Sequence, residues 1–467
     1  MRQVRRTRIV CTIGPSSSSV QVLRAMVQAG MDVARLNFSH GDPDAHRSAA
    51  ANVREAADAL GRPVALLGDL QGPKIRTGPV EGTFQRLVRG RSVELVASSP
   101  AGSSQIQVSH RELVQALKPG DRVLLDDGRI ELAVRGVQDG RADAAVVRGG
   151  LLGERKGVSV PGRSLSMPAL TEKDLQDLKL AVELGVDYLA LSFVRRPEDV
   201  IACQQHLQGK IPVIAKLEKL EAIRNLRKIL EVADAVMVAR GDLGVELKLG
   251  DLPAVQKEVI DRANRAGVPV ITATEMLESM VTSTRPTRAE ASDVANAIWD
   301  GTDAVMLSQE TSIGAHPVEA VRAMARICLA AQKHPAFERA RQIWREPGQV
   351  GSAIAHAAAS TATEIHAKVI IAFTESGTTA LRCSKARPPM PVVAASPHPE
   401  VLRRTELYSG VVPLLVSPGR DTDEMISNAT EAAVQSGMVR PGDTVVVVAG
   451  VPVGRPGQTN LLKVETV

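Results

Sequence analysis

The sequence predicts an α/β protein, because short apolar runs alternate with amphipathic stretches along most of its 467 residues. Each run has the length of a buried strand, ends in Gly, Pro or a polar residue, and precedes a helical pattern. Hydrophobic residues make up 44% of the chain and charged residues 23%, which is typical of globular proteins, and the length suggests about two to four domains. Aromatic residues make up only 2%, so we expect aliphatic cores and no module that stacks nucleic-acid bases on aromatic rings.

The net charge of +5 comes largely from arginines scattered along the chain, which suits contact with small anions as well as solubility. The cysteines Cys11, Cys203, Cys328 and Cys383 form no C-x-x-C pair, so a reducing, cytoplasmic compartment is expected. The apolar stretch Ile9–Ile13 after the N-terminal arginines is too short for a secretory signal, and no apolar stretch is long enough to span a membrane. We therefore expect neither a membrane nor a nucleic-acid partner.

Eight of the apolar runs are each consistent with a fully buried strand, and most are separated by a helical stretch. Repeated strand–helix units imply parallel strands joined by right-handed crossovers. Eight units close naturally into a (β/α)8 TIM barrel, and the alternative is an open doubly wound sheet. The predicted strands are Thr7–Gly14, Met31–Phe38, Val64–Asp69, Tyr188–Phe193, Pro212–Glu218, Ala235–Asp242, Val268–Glu275 and Ala304–Glu310. The clearest predicted helices are Ser18–Ala29, Ala45–Leu60, Glu172–Leu184, Pro253–Ala266 and Ala289–Ile298.

A long gap separates the third predicted strand from the fourth, and its pattern changes to alternating apolar and polar residues between turn signals. This pattern predicts a small antiparallel β domain, a β-barrel lid, inserted in a barrel loop. Beyond the helix Pro317–Lys333 a third region again alternates helices and strands, which predicts a separate C-terminal α/β domain. The expected limits are residues 1–72 and 168–334 for the barrel, 73–167 for the insertion and 335–467 for the C-terminal domain.

Polar residues concentrate at the C-terminal ends of the predicted strands, where barrel enzymes carry their chemistry. Alternation along the second strand places Arg35, Asn37 and Ser39 on one side, and the fifth strand places Lys216 and Glu218 together in the same way. Taken singly, such residues could be solvated ion pairs or helix caps, but a ring of them on one rim implies a polar ligand or a metal. The other members of the ring are Asp69, Arg76, Arg240, Gly241, Asp242, Thr274, Glu275, Ser308 and Glu310.

The chemistry of this ring favours phosphoryl transfer. Glu218 and Asp242 are hard oxygen donors with no His or Cys at ligand spacing, which favours Mg²⁺ or Mn²⁺ over Zn²⁺. Arg35, Arg76 and Lys216 supply positive charge suited to phosphate oxygens. Phosphoryl transfer depends mainly on positioning and charge neutralisation, which a metal and such cations provide.

Eight short motifs lie along the chain from the first predicted strand to the last barrel strand: Ile9–Gly14, Arg35–Gly41, Gly72–Thr77, Lys156–Gly162, Met237–Glu246, Ile271–Met280, Arg285–Asn296 and Asp300–Ser308. Together, and in this order, they resemble the motifs of the pyruvate kinase family. The resemblance implies transfer of the phosphoryl group of phosphoenolpyruvate to ADP, a TIM barrel with an inserted lid, a C-terminal effector domain and a homotetramer.

The resemblance also implies roles for individual residues. Glu218 and Asp242 would hold the catalytic Mg²⁺, and Lys216 would face the transferred phosphoryl group and the enolate oxygen. The backbone amides of Gly241 and Asp242 would bind the substrate carboxylate, as the start of a helix can. Thr274 would belong to the path that delivers a proton to the enolate, through water. The remaining implied roles are phosphate binding by Arg35 and Arg76, nucleotide contacts by Asn37, His40, Arg76 and Lys156, and supporting roles for Ser308 and Glu310.

One departure from the family concerns the monovalent cation. Many members carry a Glu where this chain has Lys74, and use a potassium ion held near the positions of Asn37, Ser39 and Asp69. A fixed ammonium group can supply the charge that potassium otherwise supplies, so activity without potassium is expected. Two smaller departures, Glu275 for a common Gln and Gln309 for a common Gly, have no predicted consequence.

The C-terminal region resembles the effector domain of the family. The turn Thr374–Thr379 follows a predicted strand and opens a helix, and its Thr374, Ser376, Gly377, Thr378 and Thr379 could cradle a phosphate. An ordinary capped helix start is the alternative, and Glu375 in the same turn opposes anion binding. Arg382 and Arg455 are candidate second contacts for a phosphorylated effector, a sugar phosphate or AMP.

Two other functions remain open at this point. Another Mg²⁺-dependent barrel acting on an enolate, such as an aldolase or phosphoenolpyruvate mutase, would share the acidic ligands and an arginine. A regulator that had lost catalysis could keep the same fold. The predicted lid and Lys216 favour phosphoryl transfer over the first, and the intact Lys216, Glu218, Asp242 and Thr274 argue against the second.

Overall fold

A closed barrel of eight parallel strands forms the centre of the protein, as the sequence predicts. The computed structural model describes residues 4–80, 82–97, 104–163, 167–339, 348–452 and 458–467. Each barrel strand pairs with the next in chain order, and the eighth closes the barrel on the first with Arg8 beside Ala304 and Cys11 beside Leu307. The strands are Arg8–Thr12, Val33–Asn37, Ala65–Asp69, Tyr188–Leu191, Val213–Leu217, Ala235–Ala239, Val270–Ala273 and Ala304–Leu307.

Helices surround the barrel and bury small and branched aliphatic side chains against it. The helix Pro43–Asp58, for example, begins with Asp42 as its N-cap and Pro43 in its first turn, and buries Ala49 and Val53. The few aromatic residues are therefore no obstacle to a packed core. The other helices of this part are Val20–Ala29, Glu172–Glu183, Pro197–His206, Leu220–Arg224, Leu226–Leu230, Arg240–Glu246, Leu252–Arg265, Arg288–Trp299, Gln309–Ser312, Pro317–Ala331 and Pro335–Arg339, with 3₁₀ turns at Leu249–Asp251 and Glu278–Val281.

The insertion between the third and fourth barrel strands consists of two sheets and a short helix, Arg111–Ala116. Leu87 and Leu152 of the smaller sheet share one buried core with the larger sheet, so the insertion forms a single unit. The eight strands of the main barrel form one closed sheet, whereas the strands of the insertion, among the described residues, pair as two separate sheets. The larger sheet has the order Val158–Ser159, Arg122–Leu125, Ile130–Gln138, Arg141–Arg148, Ser92–Val96, Gln105–Gln107, and the smaller pairs Gly150–Leu152 with Gln85–Leu87.

The C-terminal part is a five-stranded α/β sheet. Four strands are parallel, and the last, Leu461–Thr466, runs antiparallel at the edge. The sequence predicts the first four strands but not this edge strand or the helix Pro399–Thr405. In sheet order the strands are Val411–Leu415, Val392–Ser396, Ile370–Phe373, Thr444–Ala449 and Leu461–Thr466, and the other helices are Val350–Glu364, Thr378–Lys385 and Thr422–Gln435.

The C-terminal part packs against the N-terminal ends of the barrel strands. Lys385 lies 1% exposed at this contact, where its Nζ is 2.7 Å from Oδ2 of Asp303, just before the eighth strand. Arg8, in the first strand, pairs with Glu406 at 3.1 Å across the same contact. The C-terminal ends of the strands therefore remain available for a site, and the insertion lies at that end. No helix in the described ranges is long and apolar enough to cross a membrane.

Candidate active site

Lys216 lies at the centre of the predicted ring, at the end of the fifth barrel strand. Its Nζ is 3.1 Å from Oδ1 of Asp69 and 2.9 Å from Oε1 of Glu218, and only 11% of the side chain is exposed. The predicted pairing of residues 216 and 218 on one face is therefore observed. Burial disfavours the charged lysine, but the two carboxylates outweigh it, so the pKa of Lys216 is raised. The site thus contains a permanent ammonium group.

Asp69 connects this ammonium to a guanidinium. Arg35 donates from Nε to Oδ2 of Asp69 at 2.6 Å and from Nη1 to Oγ1 of Thr12 at 2.9 Å. Burial opposes the charge of Asp69, but Lys216 and Arg35 hold the pKa of this carboxylate below its usual value. One buried carboxylate thereby fixes the two cations that the sequence assigns to phosphate binding.

Ser192 is a site residue that the sequence interpretation missed. Its hydroxyl accepts a hydrogen bond from Lys216 Nζ at 2.7 Å and donates one to the carbonyl of Leu70 at 2.7 Å. Ser192 directly follows the fourth barrel strand, at the same rim as the other ring members. Its place at a strand end was the available signal, but a lone serine there is indistinguishable from a cap.

Glu218 combines three kinds of contact. Its carboxylate pairs with Lys216, and Oε2 accepts a hydrogen bond from the backbone N–H of Phe193 at 2.8 Å. Burial raises the pKa of Glu218, Lys216 opposes that rise, and the negative charge of Asp242 adds to it. The two carboxylates therefore feel each other's charge, and such a pair of oxygen donors fits a divalent cation of the Mg²⁺ type.

Asp242 lies in a helix and not in a strand. The sixth barrel strand ends at Ala239, three residues earlier than predicted, and the helix Arg240–Glu246 begins at once, with Asp242 in its first turn. Oδ1 of Asp242 is 2.9 Å from Nζ of Lys74. Lys74, which the sequence interpretation grouped with Asn37, Ser39 and Asp69, is thus paired with a proposed metal ligand, whereas Asp69 is held by Arg35 and Lys216.

Thr274 follows the seventh barrel strand in a left-handed backbone conformation, with φ of 68°. Its hydroxyl donates to the carbonyl of Ala273 at 2.7 Å and accepts from the amide of Gly241 at 2.8 Å. The Gly241 amide, expected to face a substrate carboxylate, is therefore bonded to Thr274 here. Sequence reasoning also missed that Arg240 donates to the carbonyl of Thr274 at 2.7 Å.

The remaining predicted cations line the side of the site nearest the insertion. His40 is exposed, and burial of part of its ring together with Arg76, Arg35 and Lys74 lowers its pKa. Arg76 donates to the carbonyl of Arg155 at 3.1 Å. Two further contacts complete this side: Lys156 Nζ lies 2.9 Å from Oδ1 of Asp126, and Asn37 Oδ1 accepts from the amide of Ser39 at 3.2 Å.

A cleft of about 770 Å³ separates the insertion from the barrel next to this ring, and Lys74, Glu218 and Asp242 are among its lining residues. Two hydrogen bonds connect residues of its lining. The hydroxyl of Ser159, in the insertion, donates to Oε1 of Glu246 at 2.7 Å, and Lys219 Nζ reaches the same oxygen at 2.6 Å. We call Ser159, Glu246 and Lys219 the latch.

Glu310 supports the seventh and eighth strand ends from beneath. It is fully buried and accepts hydrogen bonds from the amides of Leu277 at 3.0 Å and Ser308 at 2.6 Å. Burial raises its pKa despite these bonds. Its neighbours Gln309 and Glu275, the two family departures, are exposed, and nothing in the structure explains them.

The hydroxyl-rich turn of the C-terminal part is held by its own side chains. Thr374 accepts from the amide of Gly377 at 2.9 Å, the hydroxyls of Ser376 and Thr378 are 3.0 Å apart, and Gly377 has φ of 91°. Glu375 pairs with His398 at 2.8 Å. Two contacts of the following helix reach Thr459: Thr379 Oγ1 at 3.0 Å and Arg382 Nη1 at 3.2 Å. Arg455 lies outside the described residues.

Comparison with known proteins identifies the family. Residues 4–321 match the family model described as pyruvate kinase, barrel domain, and residues 352–465 match that described as pyruvate kinase, alpha/beta domain. The chain belongs to the pyruvate kinase family. The enzyme and the fold that the sequence predicts, an eight-stranded barrel with a C-terminal α/β domain, are thereby confirmed.

Individual pyruvate kinases match along nearly the whole chain. The chain is 45% identical to a pyruvate kinase of Mycobacterium tuberculosis, over 99% of this chain and 98% of the relative. It is 46% identical to a pyruvate kinase of Agrobacterium vitis, over 99% of both chains. A crystal structure of a pyruvate kinase from Cryptosporidium parvum superimposes with a TM-score of 0.92 at 37% identity, covering 99% of this chain and 96% of that one.

Proposed function

We propose that this pyruvate kinase transfers the phosphoryl group of phosphoenolpyruvate to ADP through the ring around Lys216, giving pyruvate and ATP. The observation that carries the proposal is the buried ammonium of Lys216, placed between Asp69 and Glu218 at the C-terminal rim of the barrel. The P–O bond to the enol oxygen breaks, a new P–O bond forms to the terminal phosphate of ADP, and negative charge appears on the enol oxygen. A fixed cation at that position stabilises the transition state.

Arg35 and Lys216 are proposed to bind the phosphoryl group and to keep it aligned. Because Asp69 fixes both cations, they need little reorganisation when substrate arrives. The substrate carboxylate is proposed to bind at the start of the helix Arg240–Glu246, at the amide of Asp242 and at that of Gly241, which would then donate to both the carboxylate and the Thr274 hydroxyl. Thr274 then lies beside the enolate and, through water, relays a proton to it.

Glu218 and Asp242 are the residues proposed to hold Mg²⁺, or Mn²⁺ in its place. The bound cation would neutralise charge on the phosphoryl oxygens. Lysines also contact both carboxylates: Lys216 pairs with Glu218 and Lys74 with Asp242. Asn37, His40, Arg76 and Lys156 are proposed to contact the nucleotide, since Asn37 and His40 lie at or just after the end of the second barrel strand and the charge of Arg76, in the insertion, acts on His40.

Activity without potassium is a further part of the proposal. Lys74 brings an ammonium group to within 2.9 Å of Asp242, and its charge also acts on His40, which follows Asn37 and Ser39, near whose positions many family members use a potassium ion. The charge of Lys74 is covalently attached and so needs no ion from solution.

The remaining parts concern regulation and assembly. We propose that residues 73–167 act as a lid on a barrel of residues 1–72 and 168–334, and that residues 335–467 form the effector domain of a cytoplasmic homotetramer.

The turn from Thr374 to Thr379 is proposed to bind a phosphorylated effector, and the pairing of Glu375 with His398 would offset the repulsion by that carboxylate. Titration of fructose 1,6-bisphosphate, ribose 5-phosphate, glucose 6-phosphate and AMP at subsaturating phosphoenolpyruvate tests the effector. Flat curves for all four would exclude it.

A pyruvate-coupled assay with phosphoenolpyruvate, ADP and Mg²⁺ tests the central proposal. Lys216→Met should lower kcat by about 10³-fold or more, because it removes the charge that meets the developing enolate. Lys385→Met is a matched control, since Lys385 is equally a buried, ion-paired lysine but lies at the other end of the barrel. If Lys216→Met keeps most of the wild-type kcat, the assignment of Lys216 is wrong.

A further inference from the structure

The side chain of Arg240 contacts the turn after the seventh barrel strand at several points. We propose that Arg240 is a positioning residue, which fixes the hydroxyl of Thr274 for protonation of the enolate carbon. This inference rests on the proposed function, because it concerns the step that follows phosphoryl transfer.

The guanidinium of Arg240 forms several hydrogen bonds with the turn. Nη2 donates to the carbonyl of Thr274 at 2.7 Å and to the carbonyl of Glu275 at 3.2 Å, and Nε also donates to Thr274 at 3.2 Å. Nη2 lies 2.8 Å from Sδ of Met276 as well. Only 8% of the side chain is exposed, so water does not compete for most of these bonds. Three successive residues of the turn therefore contact a single planar group.

The turn needs such a restraint because its backbone is strained. Thr274 has φ of 68° and Glu275 has φ of 53°, so two successive residues with side chains adopt the left-handed conformation. For a β-branched residue such as threonine this conformation is rare and strained. Without the hydrogen bonds from Arg240 to both carbonyls, the turn would relax toward an ordinary conformation.

Relaxation of the turn would move the Thr274 hydroxyl. That hydroxyl accepts from the amide of Gly241 at 2.8 Å, and Gly241 is the residue next to Arg240. Thr274 is thus held at two points: the Arg240 side chain bonds to its carbonyl, and the backbone amide of Gly241 bonds to its hydroxyl. A shift of the threonine would separate its hydroxyl from the helix start that is proposed to bind the substrate carboxylate.

The position of this hydroxyl matters for one chemical step. After phosphoryl transfer, the enolate carries negative charge on oxygen and a double bond between carbons 2 and 3. The electron pair of that double bond takes a proton at carbon 3, the oxygen electron pair forms the carbonyl, and water in contact with Thr274 supplies the proton. Displacement of Thr274 should therefore slow protonation and leave phosphoryl transfer largely unaffected.

The guanidinium of Arg240 also contacts two side chains outside the turn. Nη1 of Arg240 lies 2.6 Å from Oδ2 of Asp293 and 3.4 Å from Oε1 of Gln256. A purely structural ion pair with Asp293 would need only a positive charge, which a lysine supplies. Nη2 and Nε bond to the turn while Nη1 bonds to Asp293, and contacts in these two directions at once need the planar guanidinium of arginine, which the single nitrogen of a lysine does not replace. The lysine variant therefore separates a positioning role from a structural one.

The experiment compares two reactions in the same variants. Phosphoryl transfer is measured as the rate of ATP formation in an acid-quenched single turnover from phosphoenolpyruvate and ADP with Mg²⁺. Protonation is followed in reverse, as deuterium exchange into the methyl group of pyruvate in D₂O with Mg²⁺ and ATP, measured by ¹H NMR. The variants are Arg240→Lys, Arg240→Met, Thr274→Ala and the double variant Arg240→Met with Thr274→Ala.

Arg240→Met and Arg240→Lys should each lower the exchange rate about 30-fold and single-turnover ATP formation by less than about 3-fold. The double variant should exchange no more slowly than Thr274→Ala alone, since Arg240 acts through Thr274. The matched control is Arg8→Met, which removes another arginine of 8% exposure, one paired with carboxylates at the opposite end of the barrel. It should leave the ratio of the two rates unchanged.

Three results would overturn the inference while leaving the proposed function intact. The first is a wild-type exchange rate in Arg240→Lys, and the second is an equal fold-decrease of exchange and of ATP formation in that variant. The third is a fold-decrease of exchange in the double variant that equals the product of the decreases in Arg240→Met and Thr274→Ala. If Arg240→Met does not fold, as judged by circular dichroism and Tm, Arg240→Lys and Thr274→Ala still decide the question. A wild-type protein that forms no ATP from phosphoenolpyruvate and ADP would instead overturn the proposed function.

Discussion

Nζ of Lys74 lies 2.9 Å from Oδ1 of Asp242, so a lysine of the insertion is paired with a carboxylate of the barrel site. Both side chains are about a third exposed, at 27% and 34%, and such a pair contributes only about 0–1 kcal/mol. The pair can therefore exchange partners when substrate and Mg²⁺ enter, and the ammonium remains in the site.

We predict that Lys74→Glu makes the enzyme dependent on potassium. The wild-type rate with sodium or tetramethylammonium as sole monovalent cation should lie within about 3-fold of the rate with potassium, since the charge of Lys74 is built in. Lys74→Glu should lose at least about 10-fold without potassium, because the substitution reverses a charge that the anionic substrates require. Steady-state rates at matched ionic strength measure both effects.

Lys156→Glu is the control for this prediction. Lys156 is also a half-exposed lysine of the same side, paired with Asp126 at 2.9 Å. Its replacement should lower the rate in all three salts by the same factor. A wild-type enzyme that loses most of its rate in sodium would show that Lys74 does not replace the potassium ion.

We predict that Ser192→Ala lowers kcat about 10-fold. The Ser192 hydroxyl bonds both Lys216 and the carbonyl of Leu70, so its removal leaves a buried ammonium hydrogen and a carbonyl without this partner. Ser192→Thr keeps the hydroxyl and should recover part of the loss. Steady-state kcat and KM for phosphoenolpyruvate measure the effect.

A hydroxyl of the insertion provides the comparison. Ser92→Ala removes a serine that accepts from Arg135 within the insertion at 2.9 Å, away from the ring, and should leave kcat unchanged. Equal kcat values for Ser192→Ala and the wild type would show that Asp69 and Glu218 hold Lys216 without help from the serine.

The barrel could be predicted from the sequence because parallel strands are buried on both faces and appear as continuous apolar runs. The strand ends could not be placed as well, since a polar residue after an apolar run fits a strand end and a helix start equally. Asp242 shows this ambiguity: the sequence places it at the end of a strand, and the structure places it in the first turn of a helix. The edge strand Leu461–Thr466 was missed because Lys463 and Glu465 interrupt its apolar pattern, as is common in half-exposed edge strands.

Site residues could be predicted where a local pattern brings them together. Lys216 and Glu218 are two apart in one strand, so alternation alone places them on the same face. Ser192 and Arg240 act on residues in other strands, Lys216 and Thr274, and no local pattern records a contact across 24 or 34 positions. Such contacts depend on barrel closure, which determines the distances between strand ends.

We predict that loss of the latch raises KM more than it lowers kcat. The hydroxyl of Ser159 connects the insertion to Glu246 of the barrel, and both residues line the cleft. Ser159→Ala should open the cleft more often and raise KM for phosphoenolpyruvate about 3-fold or more, with a smaller change in kcat. Hydrogen exchange at Val158 and Ser159 should accelerate in parallel. An unchanged KM together with unchanged exchange would show that other contacts keep the cleft closed.

We predict that Lys385 makes the protein more stable against unfolding as the pH rises from about 8 to about 10.5. Burial lowers the pKa of Lys385 from 10.5 to about 8, Asp303 opposes this shift, and the nearby charge of Arg387 adds to it. Asp303 has two cationic partners and stays charged, so the lysine is the group that loses its proton. In this window the unfolded chain keeps a proton that the folded chain has released. The free energy of unfolding therefore rises with pH, by up to about 3 kcal/mol from this residue.

Urea unfolding of the wild type and of Lys385→Met at pH 8, 9 and 10 checks this prediction. The wild type should gain stability relative to the variant as pH increases, because the variant has no proton to release at this position. Lys333→Met, which removes an exposed lysine near the end of the same barrel, should follow the wild-type pH dependence. A constant difference between wild type and Lys385→Met over the whole range would mean that Lys385 keeps its proton in the folded protein, and that Asp303 compensates fully for its burial.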